Sequence, residues 1–237
     1  MQNTKPKLHG FYPAFGLPDP SPFTLKVYLF LKRHEIDFEL VPGDPRSTPH
    51  KKIPVLEHNG TIIPDSEIIL DYLSENFSLA DKALTPEQEG FGHMLVRGLD
   101  EKLYWSIVYA RWMDDQNARK IRDALFVEVP TPLRKLIFSV VRRQVKKDLY
   151  SQGTGRLSNQ EIYDFVAQDL ESLSKALSDK PFLFGETMSR YDCALAASIG
   201  QMLAEGLDSP HATLLERHSN LLNYWARIKE AYIPLAS

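Results

Sequence analysis

At 237 residues, with 43% apolar and 25% charged side chains, the chain is long enough for one large globular domain or two small ones. A formal net charge of −3 gives no overall field to gather nucleic acid or anionic lipid, so partners must be recognised locally. The single cysteine, Cys193, excludes an intramolecular disulfide or a CxxC redox pair and fits a reducing, cytoplasmic setting. With no apolar h-region and no run near the ~18 apolar residues of a span, neither secretion nor a transmembrane segment is expected.

"KLHGFY" (7–12) alternates as a short strand does, and "PAFGLPDPSP" then places four prolines in ten residues, which excludes regular structure until Pro22. From there Phe23, Val27, Phe30 and Leu31 recur at helical spacing, with Ser21 as N-cap and Pro22 at the first helical position. "FELV" (38–41) reads as a strand and "PGDPRSTPHKK" as a loop. "VLEHNGTII" reads as two strands joined by Asn59-Gly60, the pair favoured in a type I′ hairpin. After Pro64, Asp65-Ser66 caps a second helix whose apolar face is Ile68, Ile69, Tyr72 and Leu73.

The character changes near residue 80. Thr85, Pro86 and Gln88 form a cap, a first-turn proline and a capping-box glutamine, and everything beyond reads as helical. Helices are expected over about 86–118, 132–150, 158–178, 189–205 and 212–231, with Ser158 and Glu161 as another capping box. No HExxH, GxGxxG or Walker pattern appears, so metal and nucleotide chemistry are not expected.

A βαβ-ββα head with a proline directly before its third strand and Asp-Ser opening its last helix, followed by helices, resembles the glutathione transferases. "SPFTLKVYLFLK", "IPVLEHNGTIIPDSEIILDYL", "LYWSIVYARW", "GRLSNQEIYDFVAQDL" and "DKPFLFGETMSRYDCALA" are similar, in order and spacing, to the failed-axon-connections and metaxin-like branch. The resemblance implies an α/β thioredoxin-like N-terminal domain over 1–80 that binds glutathione. An all-α C-terminal domain over 81–237 would follow, with homodimer formation expected from the family alone. That branch mixes presumed enzymes with adaptors, so a transferase acting on a small apolar electrophile and a non-catalytic adaptor for protein or membrane association both follow from it.

Carried over residue by residue, the resemblance makes the Ile53–Pro54 bond cis, with the main-chain N–H and C=O of Ile53 facing the cysteinyl backbone of glutathione. Asp65 and Ser66 open a helix, so N–H groups, a hydroxyl and the positive helix end converge on one point. The resemblance places the γ-glutamyl carboxylate there, with Asp65 on its ammonium. As plain chemistry, Asp-Ser is also the commonest kind of N-cap. Lys52, beside His50 and Lys51, is the first choice for the glycyl carboxylate. Ser21, at the family's position for a thiol-contacting hydroxyl, would favour thiolate over a thiol of pKa ~8.5, and Tyr12 is the alternative donor. No metal is implied.

Trp105, Tyr109 and Trp112 fall at i, i+4 and i+7 with Tyr104 beside them. Such a stripe is usually core, yet by resemblance it borders the electrophile pocket. Arg111 is placed either on an anionic substrate or on a carboxylate such as Asp114. "RKLIFSVVRRQVKKDLY" makes a basic amphipathic helix, read first as a solvated face and second as a contact for a membrane surface or acidic partner. "SRYD" (189–192) reads as a capping box with a folding role, and Cys193 as a small buried filler.

Overall fold

A computed structural model describes residues 4–79 and 84–233. The boundary expected near residue 80 lies outside the described residues. Strands β1 (Lys7–Gly10), β2 (Glu39–Pro42), β3 (Val55–His58) and β4 (Thr61–Pro64) form a mixed sheet in the order β2-β1-β3-β4. The β1–β2 pair is parallel and the other two pairs are antiparallel. The β3–β4 hairpin turns at Asn59 and Gly60, both at positive φ (51° and 76°), the geometry a type I′ turn requires.

Helix α1 (Pro22–Arg33) crosses from β1 to β2, capped by the Ser21 side chain, and α2 (Ser66–Asn76) follows β4. From Thr24 to Leu31 every residue of α1 is buried, because it has the sheet's domain on one side and helix α8 (Arg190–Met202) on the other. The helical part begins with α3 (Pro86–Gly98), runs through a π-helical turn at Leu99–Leu103 and continues as α4 (Tyr104–Trp112). Then come α5 (Asp115–Leu125), α6 (Thr131–Gln152) and α7 (Asn159–Leu177), and after α8 the helices α9 (Pro210–Leu215) and α10 (Ser219–Tyr232). Everything from Asp192 to Met202 in α8 is buried, and one apolar core runs from the sheet through α1 and α8 to α10.

Three expectations need correction. The helix expected over 86–118 ends at Trp112, because the Asp114 carboxylate accepts from the Gln116 and Asn117 N–H groups (2.9 and 2.8 Å) and starts α5. The one expected over 212–231 is two, with Glu216–His218 between them. In α2 the buried stripe is Ile69, Leu70 and Leu73, rotated one position from the expected face, which leaves Ile68 51% exposed. The capping boxes at Thr85/Gln88, Ser158/Glu161 and Ser189/Asp192 all form, and Cys193 is buried.

Candidate functional site

The hairpin register pairs Val55 with Pro64, which brings the residues just before β3 and just after β4 to the same end of the sheet. There, between the start of α2 and the α3–α4 rod, lies a cleft open to solvent, with about 150 Å³ of enclosed space. Lys52, Ile53, Pro54, Asp65 and Ser66 line it together, with His50 beside Lys52 and Phe23 of α1. Lys51, at positive φ and exposed, is not on its wall.

The Ile53–Pro54 bond is cis. Among the described residues, the N–H and C=O of Ile53 make no backbone or side-chain hydrogen bond, so a main-chain edge is left open on the cleft. Asp65 caps α2 at φ 75° and ψ 132°, a conformation that costs a non-glycine residue ~1–3 kcal/mol. One carboxylate oxygen, Oδ1, accepts from the Glu67 N–H (2.9 Å), which leaves Oδ2 for a ligand. Ser66 Oγ has no hydrogen-bond partner among the described residues and sits at the α2 N-terminus, where N–H groups and the helix dipole attract an anion.

The opposite wall comes from Arg97 at the end of α3 and from Asp100 and Glu101 in the π turn, a kind of turn frequent at functional sites. Below it Lys26 of α1, 1% exposed, donates from Nζ to Glu67 Oε1 (2.8 Å) and Asp100 Oδ2 (3.0 Å). Arg190 joins the network at Glu67 (3.4 Å) and Asp71 (2.7 Å). Burial pushes the Glu67 carboxyl up, but Lys26 and Arg190 together outweigh it and hold the group below the usual range. For Asp100 burial wins and its pKa is raised. The sequence reading missed Lys26, Glu67, Arg97, Asp100 and Glu101. A lysine within the apolar run of α1 was the one available signal.

Ser21 and Tyr12 are not on the cleft wall. Ser21 is 8% exposed, and its Oγ accepts weakly from the Thr24 N–H (3.5 Å). Its own O–H has no acceptor among the described residues, so capping α1 and donating to a ligand are compatible. Tyr12 instead donates to Glu128 Oε1 (2.6 Å), a hydrogen bond that raises the phenol's pKa, so its proton is already committed.

The loop carrying Ser21 is fixed by a buried network. Asp19 accepts from the N–H groups of Ser21 (2.7 Å) and Phe11 (2.6 Å). A Cβ at position 10 would collide with Asp19 Oδ2, so glycine is required there. Burial pushes the Asp19 carboxyl up to about 7, against those N–H groups and Arg111. Arg111 serves neither a substrate nor Asp114: it donates to the carbonyls of Pro20 (2.7 Å) and Gln201 (2.9 Å) and to Gln201 Oε1 (2.6 Å). Gln201 closes the ring by donating to the Asp19 carbonyl (2.9 Å).

Trp105, Tyr109 and Trp112 are half-buried on α4, and none lines the cleft. Trp112 stacks on Phe138 of α6 (5.5 Å, 13°), and Trp105 meets Tyr104 edge-on (5.4 Å). Tyr104 packs edge-on against Phe23 at 4.8 Å, which links this stripe to the cleft.

A thioredoxin-like domain joined to a helical domain, with a cis-proline loop and a helix N-terminus facing a charged cleft, is the glutathione transferase class of fold. Family models for the glutathione S-transferase N-terminal and C-terminal domains match residues 22–117 and 166–228. The chain is 30% identical over 234 residues to an isoprene-epoxide–glutathione S-transferase from Rhodococcus sp. (strain AD45), covering 95% of this chain and 98% of that one. It is 31% identical over 232 residues to Failed axon connections from Drosophila melanogaster, covering 92% of this chain and 56% of that protein. Among solved structures, the glutathione transferase GSTFuA3 from Phanerochaete chrysosporium superimposes with a TM-score of 0.70 over 100% of both chains at 13% identity. The chain belongs to the glutathione S-transferase family.

Proposed function

We propose that this chain is a glutathione transferase that binds and ionises glutathione for attack on a small apolar electrophile. The observation that carries the proposal is the convergence of Lys52, Ile53, Pro54, Asp65 and Ser66, from two separate stretches, on one cleft. Glutathione is an extended tripeptide with two carboxylates, an ammonium and a backbone edge. Ser66 and the α2 N-terminus suit the γ-glutamyl carboxylate, and the free Oδ2 of Asp65 suits the ammonium. The open edge at Ile53 suits the cysteinyl backbone, and Lys52 suits the glycyl carboxylate.

The thiol then points toward the start of α1, where the Ser21 O–H and the helix N-terminus favour the thiolate. The name of the Rhodococcus relative makes a small epoxide the first electrophile to assay. Thiolate sulfur bonds to an epoxide carbon, the C–O bond breaks, and the alkoxide takes up a proton, with no further co-reactant. Holding the two reactants together supplies much of the rate. A homodimer is the family expectation, and exposed apolar Ile62, Ile68 and Met94 on β4, α2 and α3 are candidates for its contacts.

The thiolate absorbance of the glutathione complex, titrated against pH, tests the assignment of Ser21. Ser21→Ala should raise the bound thiol's pKa by about one unit and cut turnover about tenfold, with glutathione affinity nearly unchanged. An unchanged thiol pKa would remove Ser21 from the chemistry. A second reading, a non-catalytic adaptor with the same fold, is favoured by the positions of Ser21 and Tyr12 off the cleft wall; it predicts no thiolate band at all.

A further inference from the structure

Helix α6 is a feature the cleft does not use. It rests on the body through few groups: Phe138 and Leu149 are its buried residues. Arg142 turns inward to the carbonyls of Trp112 (2.7 Å) and Met113 (3.1 Å) and to Asp115 (2.7 Å). Arg134 likewise holds the carbonyls of Val127 and Val129. These contacts fix which side of the helix faces out.

On that outer side Leu133, Leu136, Ile137 and Val140 are 50%, 65%, 39% and 57% exposed. Their spacing of i, i+3, i+4 and i+7 makes them one continuous stripe, and Val127, just before the helix, is 42% exposed as well. The stripe continues along the helix as Arg143 and Lys147, while Lys135 and Lys146 lie on the helix edge nearer the inward-facing Arg142. All four are exposed, and among the described residues none has an ion-pair partner. The one acid on the helix, Asp148, accepts from Gln144 (2.8 Å). A chain of net charge −3 therefore carries a local cationic surface beside an apolar one.

We propose that the outer face of α6 docks on an anionic lipid surface. The charge complementarity is local: on a chain of net negative charge, unpaired Arg143 and Lys147 share a helix face with exposed Leu133, Leu136 and Val140. The surface is a convex helix, which a fluid bilayer interface accommodates and a rigid protein partner would need a matching groove to meet. An apolar stripe that enters the headgroup region, with long cationic side chains extending to lipid phosphates, supplies the two signals that stable peripheral binding needs. The site is separate from the glutathione cleft and does not depend on its occupancy.

Sedimentation of the full chain with phosphatidylcholine vesicles, with and without phosphatidylserine, tests this. Binding is expected only to the phosphatidylserine vesicles and should fall as salt is raised. Arg143→Gln with Lys147→Gln should weaken it about 30-fold, since each cation near such a surface contributes about a factor of five. Leu136→Ser with Val140→Ser should weaken it about tenfold or more. All four positions are exposed, so thermal unfolding should be unaffected. No binding to phosphatidylserine vesicles, or binding by either double variant equal to that of the wild type, overturns the proposal. So does a lipid-free dimer that Leu136→Ser with Val140→Ser abolishes, which assigns the face to a second copy. Binding to polyglutamate without binding to vesicles assigns it to an acidic protein and equally overturns the proposal.

Discussion

His211 is buried between two serines. Ser106 Oγ donates to the Leu103 carbonyl (2.7 Å), so it must accept from His211 Nε2–H at 2.8 Å; Nδ1 then accepts from Ser209 at 2.6 Å. Burial, with Arg111 nearby, pushes its pKa down to about 3. A folded pKa below the unfolded value of ~6.5 contributes stability above pH 6.5 that is lost as pH falls toward 3. From pH 6.5 to 5 this group alone should remove about 2 kcal/mol. Urea midpoints at the two pH values should therefore converge more in His211→Gln than in the wild type, and parallel slopes would remove His211 from the acid response. At this scale the sequence exposed residues whose chemistry depends on neighbours along the chain: Ser21 before a proline, Asp65-Ser66 after one. Residues defined by distant partners stayed hidden. Nothing local shows that Lys26 is shared by Glu67 and Asp100, or that Arg111 serves carbonyls of Pro20 and Gln201.

Helix starts written as capping boxes were legible, and α8 shows why this matters. The Asp192 carboxylate accepts from Leu183 N–H (2.9 Å), Ser189 N–H (2.7 Å), Ser189 O–H (2.6 Å) and Tyr224 O–H (3.1 Å). It closes the α8 N-terminus, fixes the preceding loop and ties α10 to both. Asp192→Ala would leave several buried donors unsatisfied, at a cost of about 3–5 kcal/mol, and should lower the Tm by roughly 10 °C in calorimetric scans. A fall of only a degree or two would mean the box is dispensable. Breaks inside long helical patterns were not legible. The stop at Trp112 depends on Asp114 acting as a cap, and the π turn at Leu99–Leu103 has no sequence mark.

Over the whole molecule, α1 is the shared element. It is buried against α8 by its apolar residues, and its one buried cation meets acids from α2 and from the α3–α4 junction. Cleft geometry is thus fixed by both parts of the chain, whereas the residues the sequence singled out on the cleft all lie in the first. The hairpin register explains why the first half of the site was readable: two short motifs meet once Asn59-Gly60 turns the chain. The wall of Arg97, Asp100 and Glu101 needed tertiary structure to appear.

The central claim, that this cleft takes glutathione, is tested most directly by titration calorimetry of the wild type beside Asp65→Ala. Saturable one-site binding should weaken at least about tenfold in the variant, as expected when a charged hydrogen-bond partner is removed from a bound ammonium. An absence of heat from the wild type at millimolar glutathione, or equal affinity in the two proteins, would contradict it.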